Sequence, residues 1–177
     1  MQSLANLHIN HLASQRNDAV DSETDCQRKY VARHLFQKLA SQRRLLSDEN
    51  DGGPFTIWCD DLRPSNSLLD ANLQIVGVID WEFSYAAPNE FTFAPPWWLL
   101  LEQPEYWTEG LDNWIERYES CLLIFLEAME DCEDAALASG KIQDDQRLSY
   151  KMRESWRTSD FWTVYAARKN FAFDCAL

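Results

Sequence analysis

Three residues of this sequence have the types and spacing for work on a phosphate group. Asp61 and Asn66 stand five positions apart in the run CDDLRPSN, and Asp80 closes the run LQIVGVID. Moving a phosphoryl group onto a hydroxyl needs a carboxylate beside the attacking oxygen. It also needs a neutral oxygen donor and a second carboxylate to hold Mg²⁺ against the phosphates. Asp61, Asn66 and Asp80 form such a set. Taken singly, Asp and Asn favour turns at strand ends. The combined spacing, with Arg63-Pro64 between the first two, is what points to a site.

These residues must be positioned by short apolar elements. FTIW, from Phe55 to Trp58, and LQIVGVID read as strands rich in β-branched and aromatic residues. Each ends in acidic residues, Asp60-Asp61 and Asp80. If the two strands lie side by side, both sets of carboxylates meet at one edge of the small sheet, and the hairpin between the Asp61–Asn66 loop and Asp80 returns Asp80 towards that loop. Between them lies SLLD, a short extended piece, and a turn is expected at Asp70-Ala71-Asn72. Upstream, residues 1 to about 26 read as polar and irregular. A helix is expected from Cys26 to Leu46, ended by SDENDGGP. Downstream, WEFSYAAPNEFTFAPP reads as an aromatic, proline-rich loop, and Pro95-Pro96 as a helix start before WWLLLE. Leu111, Trp114, Ile115, Tyr118, Leu122, Phe125, Leu126 and Met129 make the apolar stripe of a helix from Leu111 to about Asp134. Gly140 interrupts, and a last helical region runs from about Asp144 to Asn170, with a break near Thr158-Ser159.

The motifs DLRPSN and IVGVIDWE resemble the catalytic and metal loops of the aminoglycoside phosphotransferase family, within the protein-kinase-like fold. FSYAAP and PPWWLLLE resemble its fungal branch. The resemblance covers about residues 55 to 107 and extends to the helices on both sides. It implies an α+β, mainly α-helical domain, a kinase-like C-terminal lobe over residues 27–177 with one small β-hairpin bearing the site loops. It also implies ATP-dependent transfer of the γ-phosphoryl group to a hydroxyl of a small molecule. Asp61 would orient that hydroxyl and accept its proton, and Asn66 and Asp80 would hold Mg²⁺. Arg63 falls where it could balance charge near the transferred phosphate. The family name invites a cationic acceptor such as an aminosugar, drawn by the acidic face of Glu116, Glu119, Glu127 and Glu130.

The sequence departs from the family pattern in two ways. The histidine expected two residues before the catalytic aspartate is Cys59, and Asp60 replaces the usual Gly or Arg. Cys59 then reads as a structural cysteine and Asp60 as a solvated loop charge. The larger departure is an absence. No glycine-rich phosphate loop can be drawn from Gly52, Gly53, Gly77, Gly110 and Gly140, and no strand offers a lysine. The nucleotide-covering lobe is therefore expected to be missing from a truncated chain. An exposed apolar face is expected where that lobe would dock, with self-association through it. The alternative to a kinase is a non-catalytic remnant that binds a ligand or partner. A phosphohydrolase using Asp60 or Asp61 lacks the second Asp two residues on, since Leu62 and Arg63 stand there.

The bulk composition sets outer limits. The 177 residues suffice for a real core, and a hydrophobic share of 46% suits a packed globule. A formal charge of −13 disfavours nucleic acid and anionic membrane surfaces as partners. Five cysteines without a CxxC pair fit a reducing compartment, here the cytoplasm, better than a disulfide framework. No apolar run approaches the length of a bilayer span.

Overall fold

The structure, a computed structural model, describes residues 1–14, 20–45 and 53–169. It is α+β and mostly helical, with two small antiparallel sheets. The chain divides into two compact units. One comprises Met1–Gly53 with Thr158–Leu177, the other Pro54–Arg157. Among the described residues no helix is long and apolar enough to cross a membrane.

The first unit packs α1 (Gln2–Ser14), α2 (Glu23–Ser41) and α5 (Asp160–Arg168). Residues 2–14 are thus helical rather than irregular. Their apolar positions are thin but periodic: Ala5 and His8 are buried, one turn apart. His8 reaches the Ala167 carbonyl at 3.1 Å, and Arg33 donates to the His8 carbonyl at 3.0 Å. These bonds satisfy polar groups inside a small core with Phe36, Ala32, Phe161 and Val164. Helix α2 begins three residues earlier than expected, because the Ser22 side chain accepts from the Asp25 amide and caps it. It ends at Ser41. Leu46, most of SDENDGGP and Asn170 lie outside the described residues.

The second unit holds both sheets. β1 (Phe55–Cys59) pairs with β4 (Ser84–Pro88), in the register Phe55 to Pro88, Ile57 to Ala86 and Cys59 to Ser84. β2 (Ser67–Leu69) pairs with β3 (Ile75–Val78). The expected hairpin from SLLD through the Asp70 turn to LQIVGVID forms as β2–β3, but FTIW lies beside SYAAP and not beside LQIVGVID, so there are two separate pairings. SYAAP, expected to be loop, is the strand that satisfies the backbone of β1. It does so with its one fully buried residue, Ala87, on the same side as Trp58, whose ring stands edge-on to Phe91. The expected turn at Asp70 does form. The Asp70 carboxylate accepts from the amides of Asn72 and Gln74 at 2.8 and 2.9 Å.

Helix α3 (Leu111–Ala138) follows the expected stripe, with Trp114, Tyr118, Leu122 and Leu126 buried. It runs one turn beyond Asp134 and stops before Gly140, whose φ is +70°. Tyr118 stacks on Trp114 and donates to the Pro96 carbonyl at 3.0 Å. Pro95-Pro96 starts only a single 3₁₀ turn, Trp97–Leu100, because Leu101 turns left-handed with φ +62°. Helix α4 (Ser149–Arg157) closes the unit. The break at Thr158-Ser159 lies where the sequence placed it, with Ser159 at φ +66°.

Candidate active site

The loop after β1 and the loop after β3 meet at one end of the second unit. Asn66 is their pivot. It sits on a 3₁₀ turn, Pro64–Asn66, that Pro64 favours at its first position. Its side chain is 5% exposed. The Asn66 amide donates to the Asp61 carbonyl at 2.8 Å and to Asp61 Oδ2 at 2.9 Å. The Asn66 backbone carbonyl accepts from the Ile79 amide at 2.9 Å, which ties the residue beside Asp80 to the same loop. So Asp61 and Asn66 are in direct contact, and Asp80 is held one residue from an Asn66 hydrogen bond.

Cys59 supplies a second tie. Its thiol lies 3.8 Å from the Asp80 carbonyl, across the gap between the end of β1 and the loop after β3. A thiol is a weak donor, but it makes this link where the expected histidine is absent. Asp60, expected to be a solvated loop charge, is a half-buried one. It accepts the Trp58 indole N–H at 2.9 Å, and its own amide donates to the Phe83 carbonyl at 3.3 Å. Both residues therefore help shape the loop. Their partners, an indole two residues back and a carbonyl twenty-one residues on, are set by the sheet, and no local pattern marks the second.

Asp61 has both carboxylate oxygens engaged. Oδ2 faces Asn66, and Oδ1 forms an ion pair with Arg63 Nε at 3.0 Å, both side chains being partly exposed. Arg63 thus rests on Asp61. Each carboxylate oxygen retains accepting capacity for a substrate hydroxyl. Asp80 is exposed and has a left-handed backbone, φ +61° and ψ +49°. A non-glycine residue there is uncommon and aims its side chain differently from its neighbours.

Two side chains of the types that Mg²⁺ takes stand on these loops, Asn66 and Asp80. The Asn66 nitrogen is spent on Asp61, so Oδ1 is the end left to bind, with only a 3.5 Å contact from the Ser65 hydroxyl. Asp80 offers a carboxylate. Mg²⁺ keeps several waters or phosphate oxygens and takes only one or two protein carboxylates. Among the described residues no three His, Cys, Asp or Glu side chains gather as a metal site. None of the four described strands carries a lysine, and none leads into a glycine-rich turn. Trp97 is buried and Trp98 packs edge-on to Phe125, so both belong to the core. Comparison of the chain with family models, with curated proteins and with solved structures found no match in any of the three.

Proposed function

We propose that this chain bears the catalytic and metal loops of a phosphotransferase with a protein-kinase-like C-terminal lobe, acting on a hydroxyl of a small molecule. The observation that supports it is the contact of Asp61 with Asn66, linked through Ile79 and Cys59 to Asp80. Asp61 binds and orients the acceptor hydroxyl and takes its proton. Arg63 and Asn66 fix the carboxylate against rotation. Asn66 Oδ1 and Asp80 would hold Mg²⁺, which when bound neutralises phosphate charge. ATP is the phosphate donor that the sequence resemblance implies.

A second reading has one observation in its favour: the described strands lack a lysine and a phosphate-cradling turn. On that reading the same loops bind metal and ligand without turnover. The two are separated by incubating the full chain with Mg·ATP and a panel of hydroxylated acceptors, aminosugars included. The phosphotransferase reading expects acceptor-dependent ADP release that Asp61→Ala abolishes while far-ultraviolet circular dichroism is unchanged. Absence of ADP above the buffer rate with every acceptor leaves the binding reading alone.

A further inference from the structure

We infer that the cleft between α3 and α4 is a binding site for a small apolar amine, one ring carrying a short aminoalkyl arm. Leu122, Leu123 and Leu126 of α3 and Trp156 of α4 line it, with Glu119 and Arg153 as its charged members. Helical spacing builds it. Positions 119, 122, 123 and 126 share one face of α3, and positions 153 and 156 share one face of α4. Leu122 and Leu126 are buried, while Leu123 stands 57% exposed beside them.

Trp156 is fixed by two contacts. Its ring lies 4.7 Å from that of Tyr118, and its indole N–H donates to Glu119 Oε1 at 3.1 Å. Tyr118 is itself buried and donates to the Pro96 carbonyl. An apolar wall held in this way loses little further freedom when a ligand arrives.

Size selects a single ring. The cleft holds about 220 Å³. A cavity of about 150 Å³ lined by aliphatic side chains accepts benzene, and drug-sized ligands occupy about 300–1,000 Å³. One ring and a two- or three-atom arm lie between these.

Charge selects the amine. Arg153 is balanced by Glu130, whose Oε1 lies 2.7 Å from its Nη2. The Glu119 carboxylate, among the described residues, bonds only the neutral indole. The cleft therefore presents an unbalanced negative charge, on a chain of net charge −13. An ammonium at Glu119 with its ring against the leucines and Trp156 satisfies both halves. A carboxylate in the same place would meet Glu119 and Glu130. An aminosugar would set its hydroxyls against leucine, where they find no partner.

Nuclear magnetic resonance of the ¹⁵N-labelled full chain tests this without nucleotide or metal. The cleft shares no residue with the loops of Asp61, Asn66 and Asp80, so the outcome is separate from that of the phosphotransferase reading. The reporter is the Trp156 indole N–H signal, identified by its loss in Trp156→Phe. Phenethylamine is expected to move it saturably, with a Kd on the order of 1 mM. The neutral 2-phenylethanol binds more weakly, and 3-phenylpropionate and glucosamine leave the signal in place. Glu119→Gln keeps an oxygen for the indole but removes the charge. It is expected to weaken phenethylamine by about threefold and leave 2-phenylethanol unchanged, the span of one exposed ion pair. Circular dichroism verifies that the variant is folded. No saturable shift with phenethylamine overturns the inference. So does 3-phenylpropionate or glucosamine binding as tightly as the amine, or amine binding that Glu119→Gln leaves unaltered.

Discussion

At Asp80 the backbone and the side chain make separate demands. Its φ of +61° costs an L-residue about 1–2 kcal/mol, less for Asp, whose short polar side chain tolerates the region. Glycine is free of that cost. Asp80→Gly is therefore expected to leave stability unchanged or raise it by up to about 1 kcal/mol in urea unfolding. Asp80→Val, β-branched, is expected to lower it by about 1–3 kcal/mol. Both lose the carboxylate and with it metal binding. A residue whose glycine variant gains stability and loses ligand is held for chemistry rather than for the fold. The closeness of Asp61 and Asn66 was legible in the sequence because they stand five residues apart in one loop. The work of Cys59 and Asp60 was not, because their partners, the Asp80 carbonyl and the Trp58 indole, are supplied by tertiary contact. Arg63 was placed in the right loop but on a different partner, since its pairing with Asp61 depends on the turn that Pro64 begins.

At the scale of elements, the join between α3 and α4 depends on one side chain. Glu133 is 8% exposed, and it accepts from the amides of Leu148 and Ser149 at 2.6 and 3.0 Å. The Ser149 hydroxyl donates to it at 2.5 Å and Arg147 Nε at 3.3 Å. A carboxylate from one helix therefore caps the start of the next. Burial by itself would raise the Glu133 pKa. The bonds from Ser149 and Leu148 and the Arg147 charge outweigh it, and the carboxyl is held below its usual 4.5. Its folded value being depressed, the contribution to stability is fully present above about pH 4.5 and fades as pH falls through the folded value. Glu133→Gln places an amide group among donors and is expected to cost about 1–3 kcal/mol at neutral pH. The difference between the two proteins should shrink in denaturant melts below pH 4.5; a difference constant with pH would contradict the cap. The stripe of α3 was legible because a long amphipathic helix repeats its signal over many turns. Strand β4 and helix α1 were not. SYAAP carries a proline and two alanines and is a strand only because β1 needs a partner, and α1 buries only Ala5 and His8.

At the scale of the molecule, the two compact units make different contributions. The unit Pro54–Arg157 contains both sheets, the candidate site and a core built on Phe91, Trp114, Tyr118 and Leu126. Produced alone, residues 54–157 are expected to unfold in one cooperative transition by circular dichroism. A non-cooperative melt would show that this core needs the rest of the chain. Composition and charge could not foretell this division, because the C-terminal helical stretch reads as one region and its last helix joins the N-terminal unit. The central claim is that the two loops form one metal-dependent ligand site, and calorimetric titration of Mg·ATP into the full chain tests it most directly. The account predicts saturable heat that requires Mg²⁺, is lost in Asp80→Ala, and persists in Asp61→Asn, where the base is gone but the metal ligands remain. No binding by the intact chain, or binding that Asp80→Ala leaves unchanged, would contradict it.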